Sequence, residues 1–231
     1  MTEESTPESA DTAGQTIAVL GGTGDQGRGL ARRFALAGHT VVIGSRSAER
    51  AQKAARELVE AESARIDVRG LDNDAAAAAG DIVIVAVPWD GHRELLEGLV
   101  EPLAGKIVVD CVNPLGFDER GPYALDVAEG SAAEQAARIL EGSRVTAAFH
   151  HVSAVVLLDP GVEQVDLDVL VLGEDRAATD EVRALAGRIP GVRGVFGGRL
   201  RNAHQVEALT ANLIAVNRRY KTHAGLRITG L

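Results

Sequence analysis

Apolar positions along this chain recur with two alternating periods, and each switch between periods marks a change from strand to helix. Thr16–Leu20 (TIAVL) is a short, mostly apolar run that ends on Gly21-Gly22-Thr23-Gly24-Asp25-Gln26-Gly27. Leu30, Phe34, Ala35 and Ala37 follow at helical spacing until Gly38. The pattern then predicts a strand at Thr40–Ile43, a helix at Ala48–Ala61, a short strand near Ile66–Arg69 and an alanine-rich helix at Asp72–Ala79. Asp81–Val87 (DIVIVAV) is almost continuously apolar, as in a strand buried on both faces. His92–Leu99 is amphipathic, Lys106–Asp110 predicts a fifth strand, and Asp118–Pro122 reads as a polar loop. Ser131–Leu140 is a helix with Ser131 at its cap and Glu134 completing a capping box, and Val145–Phe149 is a sixth strand.

Strand–helix alternation to this point predicts an α/β protein: a Rossmann-type doubly wound parallel sheet over residues 16–149. Beyond it come a helix at Ala154–Leu158, a strand at Asp166–Leu172, a helix at Asp175–Arg188, a strand at Gly191–Phe196 and a helix at Leu200–Val216. Residues 150–231 are therefore expected to form a smaller C-terminal α/β domain. Met1–Gln15 carries four acids, no base and almost nothing bulky, and reads as a disordered tail. Composition changes this picture little. Aromatics make up only 3% of 231 residues, so the core must rest on small and β-branched side chains, which suits a helix-covered parallel sheet. A net charge of −9 argues against general binding to nucleic acid or anionic membrane. Cys111 stands alone, which excludes an internal disulfide, and it reads as a small packed residue. With no long apolar run and no signal-peptide pattern, a soluble cytoplasmic protein is expected.

The glycine-rich stretch carries the clearest chemistry. Gly22, Gly24 and Gly27 fit G-x-G-x-x-G between a strand and a helix. There the first glycine permits the turn, the second admits a pyrophosphate and the third lets helix and strand pack closely. The helix N-terminus offers free N–H groups to phosphate. At the tip of the second strand, an NAD-specific site would carry an acid for the ribose 2′-hydroxyl. Here the residues are Ser45-Arg46-Ser47, with Arg50 one turn on, which favours the 2′-phosphate of NADP over plain solvated arginines. Pro88 and Trp89 leave the fourth strand at the carboxyl edge, where Trp89 either shapes the nicotinamide end or simply packs on the next helix. Asn113 precedes Pro114 and reads mainly as turn chemistry. His150-His151 lacks further ligands at metal spacing; one of the pair either meets a substrate ring or caps the following helix. The last segment, Gly198–Leu231, holds six basic residues against Glu207 alone, pointing to an anionic ligand, an acidic partner or a solvated face.

GGTGDQG after a strand, GSRS with a base four residues past its Arg, VPW after the fourth strand, SAAE opening a late helix, and AFHHVSA together resemble the NADP reductases of the deazaflavin coenzyme F420. The resemblance runs from Thr16 onward and includes Asn202 and Val206-Glu207. It implies hydride transfer between NADP(H) and coenzyme F420 by cofactor positioning, with no catalytic side chain and no metal. By the same resemblance Thr23, Ser45, Arg46 and Arg50 bind the 2′-phosphate, while Gly24, Asp25 and Gln26 line the pyrophosphate. Trp89 and Ala154 sit near the nicotinamide, and His150, Val152 and Asn202 meet coenzyme F420. A homodimer is implied, with the C-terminal domain carrying deazaflavin and dimer contacts. Arg201 departs from the family, which has a deazaflavin-contacting serine at that place. Two rivals stand beside this reading. One is an NADPH-dependent reductase of a small carbonyl or imine, with Tyr123 or His150 as proton donor. The other is a non-catalytic NADP-sensing protein.

Overall fold

The computed structural model describes Thr12 and residues 14–231; the tail expected over residues 1–15 lies largely outside the described residues. Its last residue is tied to the fold, for Gln15 Nε2 donates to Glu181 and its carbonyl faces His39 Nδ1 at 3.3 Å. The elements run β1 (Thr16–Leu20), α1 (Asp25–Leu36), β2 (Thr40–Ser45), α2 (Ala48–Ala61), β3 (Val68–Asp72), α3 (Asn73–Ala79) and β4 (Ile82–Val85). After a 3-10 turn at Trp89–Gly91 come α4 (His92–Glu97), α5 (Val100–Leu103), β5 (Ile107–Asp110), β6 (Leu115–Asp118), β7 (Gly121–Ala124), α6 (Ala132–Ile139) and β8 (Arg144–Ala147). The chain closes with α7 (Ala154–Leu158), β9 (Leu167–Gly173), α8 (Arg176–Ala186), β10 (Val192–Gly198), a second 3-10 turn and α9 (Ala203–Tyr220).

Eight strands form one sheet in the order β10-β9-β8-β5-β4-β1-β2-β3. Alternation along each strand splits the core between its two faces. Ile17, Val19, Val41, Ile43, Ile82 and Ile84 pack with Leu30 and Phe34 of α1 and Leu58 of α2 on one side. Ala18, Leu20, Val42, Val83 and Val85 meet Ala76, Leu96, Leu103 and Ala136 on the other. Local signals start the helices: Ser47, Asp72, Ser131 and Asp175 each accept a backbone N–H at a helix N-cap. The segment beyond residue 149 extends the same sheet. Pairing is parallel from β3 to β8, then β9 joins β8 antiparallel, with β10 parallel to β9. Only Thr146↔Gly173 and Ala147↔Leu172 make that junction, so the earlier residues of β9 project past the carboxyl end of β8. They form a wall beside the crevice.

One expectation is corrected. Asp118–Pro122 is no plain loop but the turn of the hairpin β6–β7. Asp118 Oδ1 accepts the backbone N–H groups of Arg120 and Gly121, and Gly121 takes φ +117°, which a side chain would resist.

Candidate crevice at the carboxyl edge

The glycine turn is built by close packing. Gly21, not Gly22, bears the left-handed conformation, at φ +73°, and a Cβ there would lie 2.6 Å from the Ala86 carbonyl oxygen. Gly22 is needed for space, since its Cβ would meet the Val19 carbonyl oxygen at 2.8 Å and Ile43 at 3.0 Å. A Cβ on Gly27 would stand 2.7 Å from Gly22 Cα, so this glycine lets α1 sit directly on the turn. Gly24 differs: a Cβ would find no protein atom nearer than 3.6 Å. The space before it is open to a ligand. Gly24 is also the N-cap of α1 and offers no side-chain cap, leaving the first-turn N–H groups free for an anion. Thr23 and Asp25 flank this opening, half-buried and exposed respectively.

At the tip of β2, Ser45 is buried and Arg46 exposed. Ser45 Oγ accepts the Ser47 N–H at 3.4 Å, and Ser47 Oγ caps α2 by accepting the Arg50 N–H at 3.4 Å. Ser47 is thus a helix cap. Arg46 and Arg50 remain exposed beside the α2 N-terminus, a donor-rich cluster with no carboxylate at the strand tip.

Strands β4, β5 and β8 bring the opposite end of the crevice together. Pro88 is exposed; Trp89 is half-buried against the core, with its ring centroid 5.5 Å from that of His92. Asn113, reached after β5, does more than turn the chain: its Nδ2 donates to the His150 carbonyl at 2.9 Å. Thr210 Oγ1 of α9 donates to the same carbonyl at 3.0 Å. Phe149 holds a left-handed φ of +65°, a strained conformation for an aromatic residue, and starts the loop that carries His150, Val152 and Ala154. Gln26 Nε2 donates to the Phe149 carbonyl at 3.3 Å, so the first turn of α1 reaches this loop directly. His150 does not cap α7, whose N-cap is Ser153 without a side-chain cap.

Electrostatically the two ends differ. Burial drives the His150 and His151 imidazoles down to about 4, so both are neutral at neutral pH. The four ring nitrogens of this pair are buried and have no hydrogen-bond partner among the described residues. Asp110 is the charge nearest His150 in effect and Asp168 acts on His151, so the two neighbouring rings sense different surroundings. Below them, His92 Nε2 meets Asp110 Oδ2 at 2.6 Å and Nδ1 meets Gln135 Oε1 at 2.9 Å. Glu207 of α9 accepts the Ala132 and Ala133 N–H groups, and burial still pushes its carboxyl up to about 7. No motif or spacing in the sequence marks this buried network, whose members lie 18 to 75 residues apart. Cys111 is an inert packed residue: burial pushes its thiol up, and Sγ faces the Val85 carbonyl at 3.0 Å.

Comparison with known proteins decides between the candidate chemistries. The family described as NADP oxidoreductase coenzyme F420-dependent matches residues 16–114. The F420-dependent NADP reductase of Methanothermobacter thermautotrophicus is 44% identical, covering 93% of this chain and 95% of that protein. The chain belongs to the F420-dependent NADP reductase family. A further F420-dependent NADP reductase, from Methanocaldococcus jannaschii, is 40% identical over 93% of this chain and 98% of its own. A crystal structure of a candidate F420-dependent NADP-reductase from Arthrobacter sp. FB24 superposes with a TM-score of 0.79 at 28% identity, covering 94% of this chain and all of that one.

Within this F420-dependent NADP reductase fold, the residues expected at the crevice fall into two groups and one outlier. The glycine turn with Ser45, Arg46 and Arg50, after β1 and β2, forms one group; Trp89, after β4, and His150, Val152 and Ala154, after β8, fall on the other side of β1, with Trp89 packed on one face of the sheet and Val152 on the opposite one. Asn202 is the outlier. It is exposed, caps no hydrogen bond at the start of α9, and precedes Thr210 by eight residues, roughly 12 Å along a helix. Of the six C-terminal bases, Arg199 pairs with Glu174, and Arg227 with Asp166 and Asp168. Arg201, Arg218, Arg219 and Lys221 are exposed.

Proposed function

We propose that this chain passes a hydride directly and reversibly between NADP(H) and coenzyme F420 across the crevice, with residues 16–149 holding the dinucleotide and residues 150–231 contributing the deazaflavin side. Family membership makes it an NADP-dependent oxidoreductase whose redox partner is coenzyme F420. The observation that carries the site reading is the pairing of an uncapped, glycine-cradled helix start with a buried, unpartnered neutral His150, joined through the Gln26–Phe149 hydrogen bond.

NADPH supplies a hydride when bound, and a deazaflavin ring accepts it; the protein's own residues bind, orient and exclude water. Gly22, Gly24 and Gly27 with Thr23, Asp25 and Gln26 would cradle the pyrophosphate region, and Ser45, Arg46 and Arg50 would take the 2′-phosphate. Pro88, Trp89 and Ala154 would border the nicotinamide. His150, with two unpartnered ring nitrogens, and Val152 would meet the deazaflavin, with Asn202 and the exposed bases beyond Arg199 toward its anionic tail. A neutral His150 is a poor proton donor at neutral pH, and Tyr123 is 47% exposed on the hairpin, which weighs against a carbonyl or imine reductase.

A homodimer fits the apolar side chains displayed by α9 and the hairpin it packs against: Phe117 and Tyr220 are 62% and 73% exposed. Among the described residues no helix is long and apolar enough to cross a membrane, and a cytoplasmic location fits the single buried thiol. The test mixes NADPH deuterated on its transferring face with oxidised coenzyme F420 in ordinary water. Deuterium in the reduced deazaflavin supports direct transfer; its washout to solvent would refute it.

A further inference from the structure

We infer that His92 is a positioning residue for hydride transfer: a buried imidazolium, clamped between Asp110 and Gln135, that fixes Trp89 at the nicotinamide end of the crevice. The inference rests on the proposed placement of Trp89 beside the nicotinamide. It starts from geometry alone. His92 is fully buried at the first turn of α4. Its Nε2 meets a carboxylate oxygen of Asp110 at 2.6 Å, and its Nδ1 meets the amide oxygen of Gln135 at 2.9 Å. The Gln135 amide cannot turn over without loss, because its Nε2 donates to Glu129 at 3.1 Å. With Asp110 ionised both ring nitrogens face acceptors, and then only the doubly protonated ring satisfies both.

The surroundings agree. Facing His92 are Asp110 from β5, Gln135 from α6 and Glu207 from α9; Glu129, just before α6, is reached only through Gln135, and Arg93, the neighbour of His92, is turned to Glu129 and Glu97. Burial opposes the charge, but Asp110 and the two hydrogen bonds outweigh it and raise the imidazole above its ordinary value. The Trp89 ring lies 5.5 Å away, tilted by 31°, so the indole rests against a fixed cation. The clamp also reaches the rest of the crevice. Asp110 Oδ1 accepts the Val112 N–H, and the next residue, Asn113, holds the His150 carbonyl. One buried charge thus braces the loops after β4 and β5, and through Asn113 the loop after β8.

Three measurements test this. In nitrogen-labelled wild-type protein at about pH 6.5, the ordinary imidazole midpoint, both His92 ring nitrogens should be protonated; a single bare nitrogen would overturn the imidazolium. Trp89 is the only tryptophan, so its emission reads the brace directly. His92→Gln, and separately Gln135→Leu, should brighten and red-shift that emission, because a neighbouring imidazolium quenches indole; an unchanged spectrum would overturn the brace. Finally, His92→Gln and Trp89→Leu should each slow single-turnover hydride transfer by about tenfold, with the KM for NADPH nearly unchanged and the double variant no slower than either. Additive losses would mean that His92 does not act through Trp89. An unaffected rate in Trp89→Leu alone would refute the nicotinamide placement and the role of His92 in transfer with it, while the ring-nitrogen result would still decide the charge.

Discussion

The two ends of the crevice are built by different means. At the glycine-turn end the cradle is contiguous: β1, the glycine turn, α1 and the tip of β2 span only Thr16 to Arg50, and the fit is made by close packing against the backbone. At the other end, residues from α4, β5, α6, α9 and the loops after β5 and β8 converge, and side-chain hydrogen bonds hold them, spanning from His92 to Thr210. The first end tolerates little change in shape. The second depends on which groups carry protons.

The largest expected effect joins both ends. Phe34 of α1 is fully buried and meets Phe149 edge-to-face at 5.8 Å. Phe34→Ala should cost about 3–5 kcal/mol in denaturant unfolding and weaken both cofactors together; loss of only one would show that the ends are independent.

Acid should separate them next. His150 and His151 fall from 6.5 to about 4 on folding, so their contribution is present above 6.5 and is lost as pH falls through about 4. Glu207 is raised from 4.5 to about 7, so its contribution is present below 4.5 and lost as pH rises through about 7. It therefore partly offsets the histidines, each shift being worth roughly 3 kcal/mol at most. Glu207→Gln should make the loss of stability between about pH 7 and pH 4.5 steeper than in the wild type; parallel curves would contradict the assignment.

Single-end changes come after. Arg46→Ala should raise the KM for NADPH by about 10- to 100-fold, roughly 1.5–3 kcal/mol, and leave NADH and coenzyme F420 little affected. Equal losses for NADPH and NADH would remove Arg46 from the 2′-phosphate. His150→Ala should weaken coenzyme F420 by about tenfold with NADPH binding preserved, as for one lost hydrogen bond to a buried partner. Smallest of all, Cys111→Ser should retain most activity, because its thiol only packs.

This contrast also explains what could be read from the sequence. The strands and helices of the parallel half were legible because each announces itself locally, by alternation, by a cap such as Ser47 or Asp72, or by glycine. The second helix, Ala48–Ala61, was placed to the residue. The positive φ of Gly21 was less visible, for the motif template begins one residue later. Missed altogether was the His92 clamp, since Asp110 and Gln135 lie 18 and 43 residues away and no spacing rule connects them. The hairpin at Leu115–Ala124 was hidden by its brevity and by Pro122 within a strand. Reversal of β9 was hidden too, because a strand's apolar pattern reads the same in either direction.

Sheet order has a consequence for how the molecule comes into being. The chain begins in the middle of the sheet, fills it out to β3, returns past β1 and then adds β4, β5, β8, β9 and β10 one after another. On the ribosome each emerging strand finds its partner already made, and one unfinished edge is handed on to the next. The glycine cradle over Thr16–Arg50 is complete before the wall of β9 and the Thr210 contact have been synthesised. A nascent chain of this protein would acquire its glycine cradle well before the His150 side of the crevice, and translation itself would set the order in which the crevice is assembled.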